Sequence, residues 1–216
     1  MGIEVGRNYR LEVGTALAAA MTVTGISKAS EAIVSGSGFS VVAGDYVLFG
    51  AVDGMAELSY VLGRVKATPT PTATAFTLEG IDSTNFGTWT AGTCQKVSTF
   101  ATLSTATAID FGAGSVESLD ATTLLDVTKQ SVAGLLAQPD VSITLFTDAA
   151  SAVQTAIDTA AFAGTIMPFR ATKPSGAKRC FSGIPSTIGE SVNVNQIIGG
   201  SMTVVVRSNR TVKYAS

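Results

Sequence analysis

No histidine occurs among the 216 residues. Its absence removes Ser-His-Asp and Cys-His catalysis and most zinc sites. Two cysteines, Cys94 and Cys180, stand far apart and supply neither a disulfide framework nor a metal-ligand set. That usage fits a reduced, cytosolic site of assembly. Charge is scarce as well: 14% of residues are charged and 46% hydrophobic. A chain with so thin a polar coat covers part of its surface with partners. No apolar run is long enough to span a bilayer. Arg7 and Arg10 ahead of Leu11–Met21 loosely imitate a signal peptide, but Glu12, Gly14 and Thr15 interrupt the run, so it reads as a first strand and turn. Phosphate-binding loops are missing too. Lys173-Pro174-Ser175-Gly176-Ala177-Lys178 has the wrong spacing for a Walker loop, and Gly112-Ala113-Gly114 lacks the third glycine of a dinucleotide fingerprint.

The charges that are present are unevenly placed. Net charge is −2, with a sequence pI near 5.1, which argues against a basic nucleic-acid-binding face. Between Glu31 and Asp126 there are ten acids and three bases; from Arg170 onward there are seven bases and one acid, Glu190. Opposite signs on different parts of one chain suit head-to-tail self-association, and they equally suit a scatter of solvated charges. The densest basic stretch holds Lys173, Lys178 and Arg179. It reads either as an inter-subunit contact or as a solvated turn around Pro174-Ser175-Gly176.

Ala, Val and 22 glycines favour strands and tight turns over long helices. A strand is expected around Tyr9–Val13. Short apolar runs follow at Ala32–Val34, Tyr46–Phe49, Tyr60–Val65 and Ala75–Leu78, separated by Gly or Pro turns, as in a small antiparallel barrel or sandwich. Thr102–Phe111 reads as a strand and Gly112–Ser115 as a loop. Val116–Asp140 sustains no period despite the pairs Leu124-Leu125 and Leu135-Leu136, and reads as a long loop or extended hairpin. Val141, Ile143 and Leu145 alternate with Ser142, Thr144 and Phe146. The spacing of Ala149, Val153, Ile157, Ala160 and Ala161 predicts one helix, capped by Asp148 and ended by Gly164. Strands are expected again at Val192–Gln196, Met202–Arg207 and Arg210–Tyr214.

Acid pairs remain as candidate chemistry: Asp53 with Glu57, and Asp120 with Asp126. Carboxylates so close in sequence are ordinarily solvated surface. Trp89 and Phe86 near Tyr60 suit a sugar-binding platform or, more commonly, the core of a small barrel. Catalytic, cofactor and metal residues are expected to be none.

Two stretches resemble phage modules. The first runs Ile26-Ser27-Lys28-Ala29, Gly38-Phe39-Ser40, Gly44-Asp45-Tyr46-Val47, Gly50-Ala51-Val52-Asp53-Gly54-Met55, Phe76-Thr77-Leu78, Gly80-Ile81-Asp82-Ser83-Thr84 and Phe86-Gly87-Thr88-Trp89-Thr90. It resembles a small β-barrel of phage structural proteins that is similar to the first catalytic-cysteine half-domain of ubiquitin-activating enzymes. Gly36-Ser37-Gly38 departs from it where many such modules carry His-Gly. The second is Thr102–Ser216 with the N-terminal arm, including Phe181-Ser182-Gly183-Ile184-Pro185-Ser186 and Ser201-Met202-Thr203-Val204-Val205-Val206-Arg207-Ser208. Its order of strand, long loop, strand, one Ala-rich helix and strands resembles the tail tube subunits of long flexible-tailed phages.

The resemblance implies a mainly β fold: a sandwich or barrel with one flanking α-helix (residues 1–20 and 99–216) and a small inserted β-barrel domain (21–98) facing outward. It implies a non-enzymatic virion protein that makes a homo-oligomeric, hexameric ring. Such rings stack into a tube whose lumen conducts DNA without specific binding. Val116–Asp140 would be the inter-ring stacking loop, with Leu124, Leu125, Leu135 and Leu136 at the contact. Lys173, Lys178 and Arg179 are candidate inter-subunit contacts. Other partners would be the tape measure, tail terminator and distal tail proteins; no cofactor and no membrane are involved, and assembly takes place in the host cytoplasm. The alternatives are a capsid decoration or tail-completion protein and a receptor- or glycan-binding adhesin module.

Overall fold

A computed structural model describes residues 8–123, 125, 127–136, 138–208 and 211–215. Leu124, Asp126 and Arg210 lie outside the described residues, as does the side chain of Leu136. The chain runs β1 (Arg10–Leu17), β2 (Met21–Ile26), β3 (Ile33–Gly36), β4 (Tyr46–Asp53), β5 (Leu62–Arg64), β6 (Ala75–Thr77) and β7 (Ala91–Thr102). Then come β8 (Ala106–Phe111), β9 (Val116–Asp120), β10 (Ser131–Leu136), β11 (Val141–Phe146) and the helix α1 (Ala152–Ala163). The remaining strands are β12 (Met167–Thr172), β13 (Lys178–Pro185), β14 (Gly189–Ser191), β15 (Gly199–Val206) and β16 (Val212–Tyr214).

Fourteen strands join in one hydrogen-bonded sheet system, ordered β6-β3-β2-β7-β1-β12-β13-β15-β11-β8, with β14 on β15, β16 on β13, and β4 between β5 and β7. The fold is mainly β, as the patterning predicts. Alternation sets the faces: Val141, Ile143 and Leu145 of β11 point inward, opposite Met202 and Val204 of β15.

The apolar interior divides in two. One cluster gathers Leu11, Val13, Ile143, Leu145, Ile157, Phe169 and Phe181. Here Phe169 stacks on Phe181 at 5.2 Å, and Phe111 meets Phe181 edge-on at 5.6 Å. The other gathers Val34, Phe49, Leu62, Phe76, Leu78 and Cys94 from residues 21–98, together with Cys180, Val212 and Tyr214 from the C-terminal strands. β7 belongs to both regions: it pairs with β2 and β4 through its first half and with β1 through its second.

Helix α1 flanks the first cluster through Ile157 and Ala160 and ends at Gly164, whose φ of 61° is open to glycine at little cost. Its N-cap is Ser151 rather than Asp148: the Ser151 hydroxyl accepts from the Gln154 amide at 3.4 Å. Asp148 instead closes a turn, accepting from the Ala150 amide at 3.0 Å. Gln154 is buried and fastens the helix to β11. Its Nε2 donates to the Phe146 carbonyl at 2.8 Å and to Thr105 Oγ1 at 2.9 Å, and its Oε1 accepts from the Asp148 amide at 3.0 Å.

Two strand expectations change. Thr102–Phe111 is not one strand, because Leu103 turns inward and divides β7 from β8. Val192–Gln196 is not a strand at all: the segment links β14 to β15 with Val192 and Val194 exposed. Alternation there has no neighbouring strand to pair with, and period alone does not supply one.

Candidate functional site

The strand pair β9–β10 stands apart as its own two-stranded sheet, with Ser131 opposite Asp120, Val132 opposite Leu119 and Ala133 opposite Ser118. It lies in the chain between the paired strands β8 and β11, whose Phe111 and Val141 pair at its root. The segment is thus a ribbon, within the expected range of long loop or extended hairpin. Its apolar side chains are in water: Leu125 is 93% exposed and Leu135 84%, and Val116, Leu119, Val127 and Val132 are exposed as well. Isolated two-stranded ribbons are marginal, and exposed apolar groups in such numbers mark a partner's seat. Asp120 is held by Thr122, whose amide and hydroxyl donate to it at 3.0 and 2.6 Å, and by Lys129 at 3.5 Å. These bonds keep its carboxyl below the usual range.

The basic stretch forms the β12–β13 turn. Lys173 and Ala177 close it through a 2.8 Å backbone bond, and Lys178 and Arg179 pair with Tyr214 and Lys213 of β16. Lys173, Lys178, Arg179 and Lys213 therefore meet around one cavity of about 300 Å³, walled by Phe111 and Tyr214. Arg179 is not a free surface cation. Its guanidinium lies 3.9 Å from the Phe111 ring centroid, its Nε is buried without a hydrogen-bond partner, and burial lowers its pKa.

Arg170 serves a different purpose. It donates to both oxygens of Glu12, 2.7 and 2.9 Å away, while its guanidinium rests 4.2 Å from the Phe100 centroid and 4.9 Å from that of Tyr46. Burial alone would raise the Glu12 carboxyl, but the hydrogen bonds and charge of Arg170 outweigh it and hold the pKa below normal. Two further bonds tie residues 21–98 to the C-terminal strands: the Arg64 amide donates to the Tyr214 hydroxyl at 2.7 Å, and Ser182 Oγ donates to the Tyr60 carbonyl. Neither tie was legible in sequence, since each joins residues more than a hundred positions apart.

Of the two acid pairs, Asp120 is engaged by Thr122 and Lys129, and its candidate partner Asp126 lies outside the described residues. Glu57 accepts from the Gly87 amide at 3.1 and 3.2 Å, a structural bond. Trp89 and Phe86 are half-buried and pack against the core of residues 21–98. Cys94 and Cys180 are buried free thiols, both pushed up to about 12 by burial. Among the described residues no group of three or more Cys, Asp or Glu could hold a metal ion, and no helix is long and apolar enough to cross a membrane.

What these features share is the character of an assembling structural subunit: apolar side chains on a projecting ribbon, and cations collected at one end of a β domain. Comparison with curated proteins finds no match. The profile of the family described as "Phage tail tube protein, TTP" matches residues 53–215, which takes in most of the sheet, the helix, the ribbon and the basic turn. On that match the chain belongs to the phage tail tube protein family, whose members are structural subunits of the virion tail.

Proposed function

We propose that six copies of the chain close into a ring, that rings stack around a lumen through which DNA passes without specific binding, and that the ribbon carries the stacking contact. In this reading Leu124, Leu125, Leu135 and Leu136 bury against the adjacent ring, and the subunit works without catalysis. The carrying observation is the exposure of Leu125 and Leu135 on a ribbon that belongs to no other sheet. Residues 21–98 form an outward module, similar to the half-domain of ubiquitin-activating enzymes, on a tube core of residues 1–20 and 99–216. The separate apolar cluster supports this division, and the Cys180, Val212 and Tyr214 contacts bind the two parts firmly. Tape measure, tail terminator and distal tail proteins complete the partners.

Negative-stain microscopy of the purified chain tests the reading. Ring averages with six-fold symmetry and tubes at high concentration are expected. A folded protein that stays monomeric at every concentration tried would sink it.

A further inference from the structure

We propose that the hairpin end at residues 192–198 docks into the groove along helix α1 of a second copy of the chain. This rests on the self-association in the reading above and not on six-fold closure.

The hairpin end is apolar and already shaped. β14 pairs with β15 through Gly189, Glu190 and Ser191 against Ser201, Gly200 and Gly199. Beyond that pairing, residues 192–198 are exposed throughout, Val194 by 91%. Val192, Ile197 and Ile198 accompany it, and no charge occurs between Glu190 and Arg207. A turn orders the segment: the Gln196 amide donates to the Asn193 carbonyl at 3.3 Å, and Asn195 holds a φ of 61°, which asparagine tolerates. The four β-branched side chains are stiff at χ1, so holding them against a partner costs little further entropy. Apolar side chains gathered in water in this way mark a surface that a partner covers.

The groove is the counterpart. It measures about 670 Å³ and lies between α1 and the strands β1 and β12, where Gly14, Leu17, Ala156, Thr159, Ala163 and Pro168 line it. No charged residue lines it. A helix whose outer side meets water ordinarily carries charge there. On α1 that side shows Ala152, Thr155, Thr159 and Ala163, flanked by Phe162 at 84% exposure. The one charged residue of the helix, Asp158, is turned to the Ile188 amide, from which it accepts at 3.0 Å. A cleft of this size encloses a few aliphatic side chains.

Charge selects the occupant. A charged segment in this groove would lose its water and find no counter-ion. The ribbon carries Glu117 and Asp120 on opposite faces of β9, so either face brings an acid with it. Residues 192–198 bring none. Every copy carries both the hairpin end and the groove, so each gives one such contact and receives one. A heterologous contact of that kind propagates into a ring or a filament instead of closing a dimer, in keeping with a tube.

Cross-linking locates the contact. Cys94 and Cys180 are buried, so a cysteine placed at exposed Val194 or Thr159 is the reactive thiol of its chain. Val194→Cys and Thr159→Cys chains are mixed 1:1, assembled and treated with a short bismaleimide. A dimer band is expected whose linked peptides carry positions 194 and 159. Val194→Asp and Thr159→Glu give a second readout. Both sites are exposed, so circular dichroism should match wild type, while each variant should need about tenfold more protein to assemble. Ala163→Glu, on the same outer side, replaces Thr159→Glu if that chain fails to fold. Assembly of both acidic variants at the wild-type concentration, or assembled protein without the 194–159 link, overturns the proposal. So does a link from Thr159→Cys to Leu135→Cys, which gives the groove to the ribbon, or a 194–159 link closed within one unassembled chain. Six-fold rings that lack the link leave the ring reading intact. The link in an assembly of another symmetry removes six-fold closure and keeps this contact. Wild type that stays monomeric defeats both.

Discussion

Glu12 and Arg170 face each other across the β1–β12 pair as a two-pronged ion pair, with the guanidinium also lying against Phe100 and Tyr46. Both side chains are more than four-fifths buried. Breaking such a pair leaves one charge stranded in low dielectric, at a cost of roughly 3–5 kcal/mol. Arg170→Met should therefore destabilise the chain by about 3 kcal/mol in urea unfolding. The double variant with Glu12→Gln should recover part of that loss, because no bare carboxylate remains. A double variant less stable than Arg170→Met would contradict the account.

The same pair sets an acid limit. Glu12 titrates below its ordinary value of 4.5 in the folded chain. A depressed carboxyl contributes stability that is complete above the unfolded value and is lost as pH falls through the folded one. Unfolding free energy should thus decline below about pH 4.5, and Glu12→Gln should flatten the slope there. Equal slopes in the two proteins would assign acid sensitivity to other carboxyls.

Helix capping separates sequence reading from structure in a measurable way. Ser151→Ala should cost about 1 kcal/mol through the lost cap, more than Asp148→Asn, whose side chain can still accept from Ala150. Gly164→Ala should cost about 1 kcal/mol because of the positive φ. Thermal unfolding of the three variants ranks them directly.

The helix was legible because Ile157 and Ala160 repeat at 3.6 residues and a glycine follows. Its cap was not, because Asp148 and Ser151 are both good capping residues and only backbone geometry chooses between them. Gln154 was invisible for a related reason: a polar residue in a helix reads as surface until its partners, here Phe146 and Thr105, are known. The strand of Val141–Phe146 was read correctly since one face is buried and one is not. Val192–Gln196 shows the same alternation without a pairing partner. Arg170 counted in sequence as one of seven C-terminal cations, yet its role depends on Glu12, 158 residues away. At the candidate site, Lys173, Lys178 and Arg179 were legible as a basic turn, but Lys213 and the aromatic walls join them only through β-pairing.

Replacing residues 21–98, the proposed outward module, by a short Gly/Ser linker should leave a chain that still oligomerises. It should also melt lower, since Tyr214, Val212 and Cys180 lose their cover and Arg170 loses the Tyr46 ring. Sedimentation velocity and thermal unfolding read the two effects separately. A deletion variant that is soluble and folded yet strictly monomeric would place the ring contact in the module.

The ribbon gives the last test. Leu125 and Leu135 are almost fully exposed, so replacing them with serine removes little from the free subunit's own packing. Fully burying each against another ring is worth about 1.5–3 kcal/mol before the cost of ordering the segment. Around a ring these gains act together, and even a small surplus per subunit makes stacking very tight. The Leu125→Ser, Leu135→Ser double variant should therefore keep the wild-type melting temperature and still close rings, but fail to lengthen tubes under the microscope. Hydrogen exchange adds a residue-level readout: amides of residues 116–136 should gain protection when subunits enter the tube. Equal protection in subunit and tube, or unimpaired tube growth by the double variant, would take the stacking role away from the ribbon.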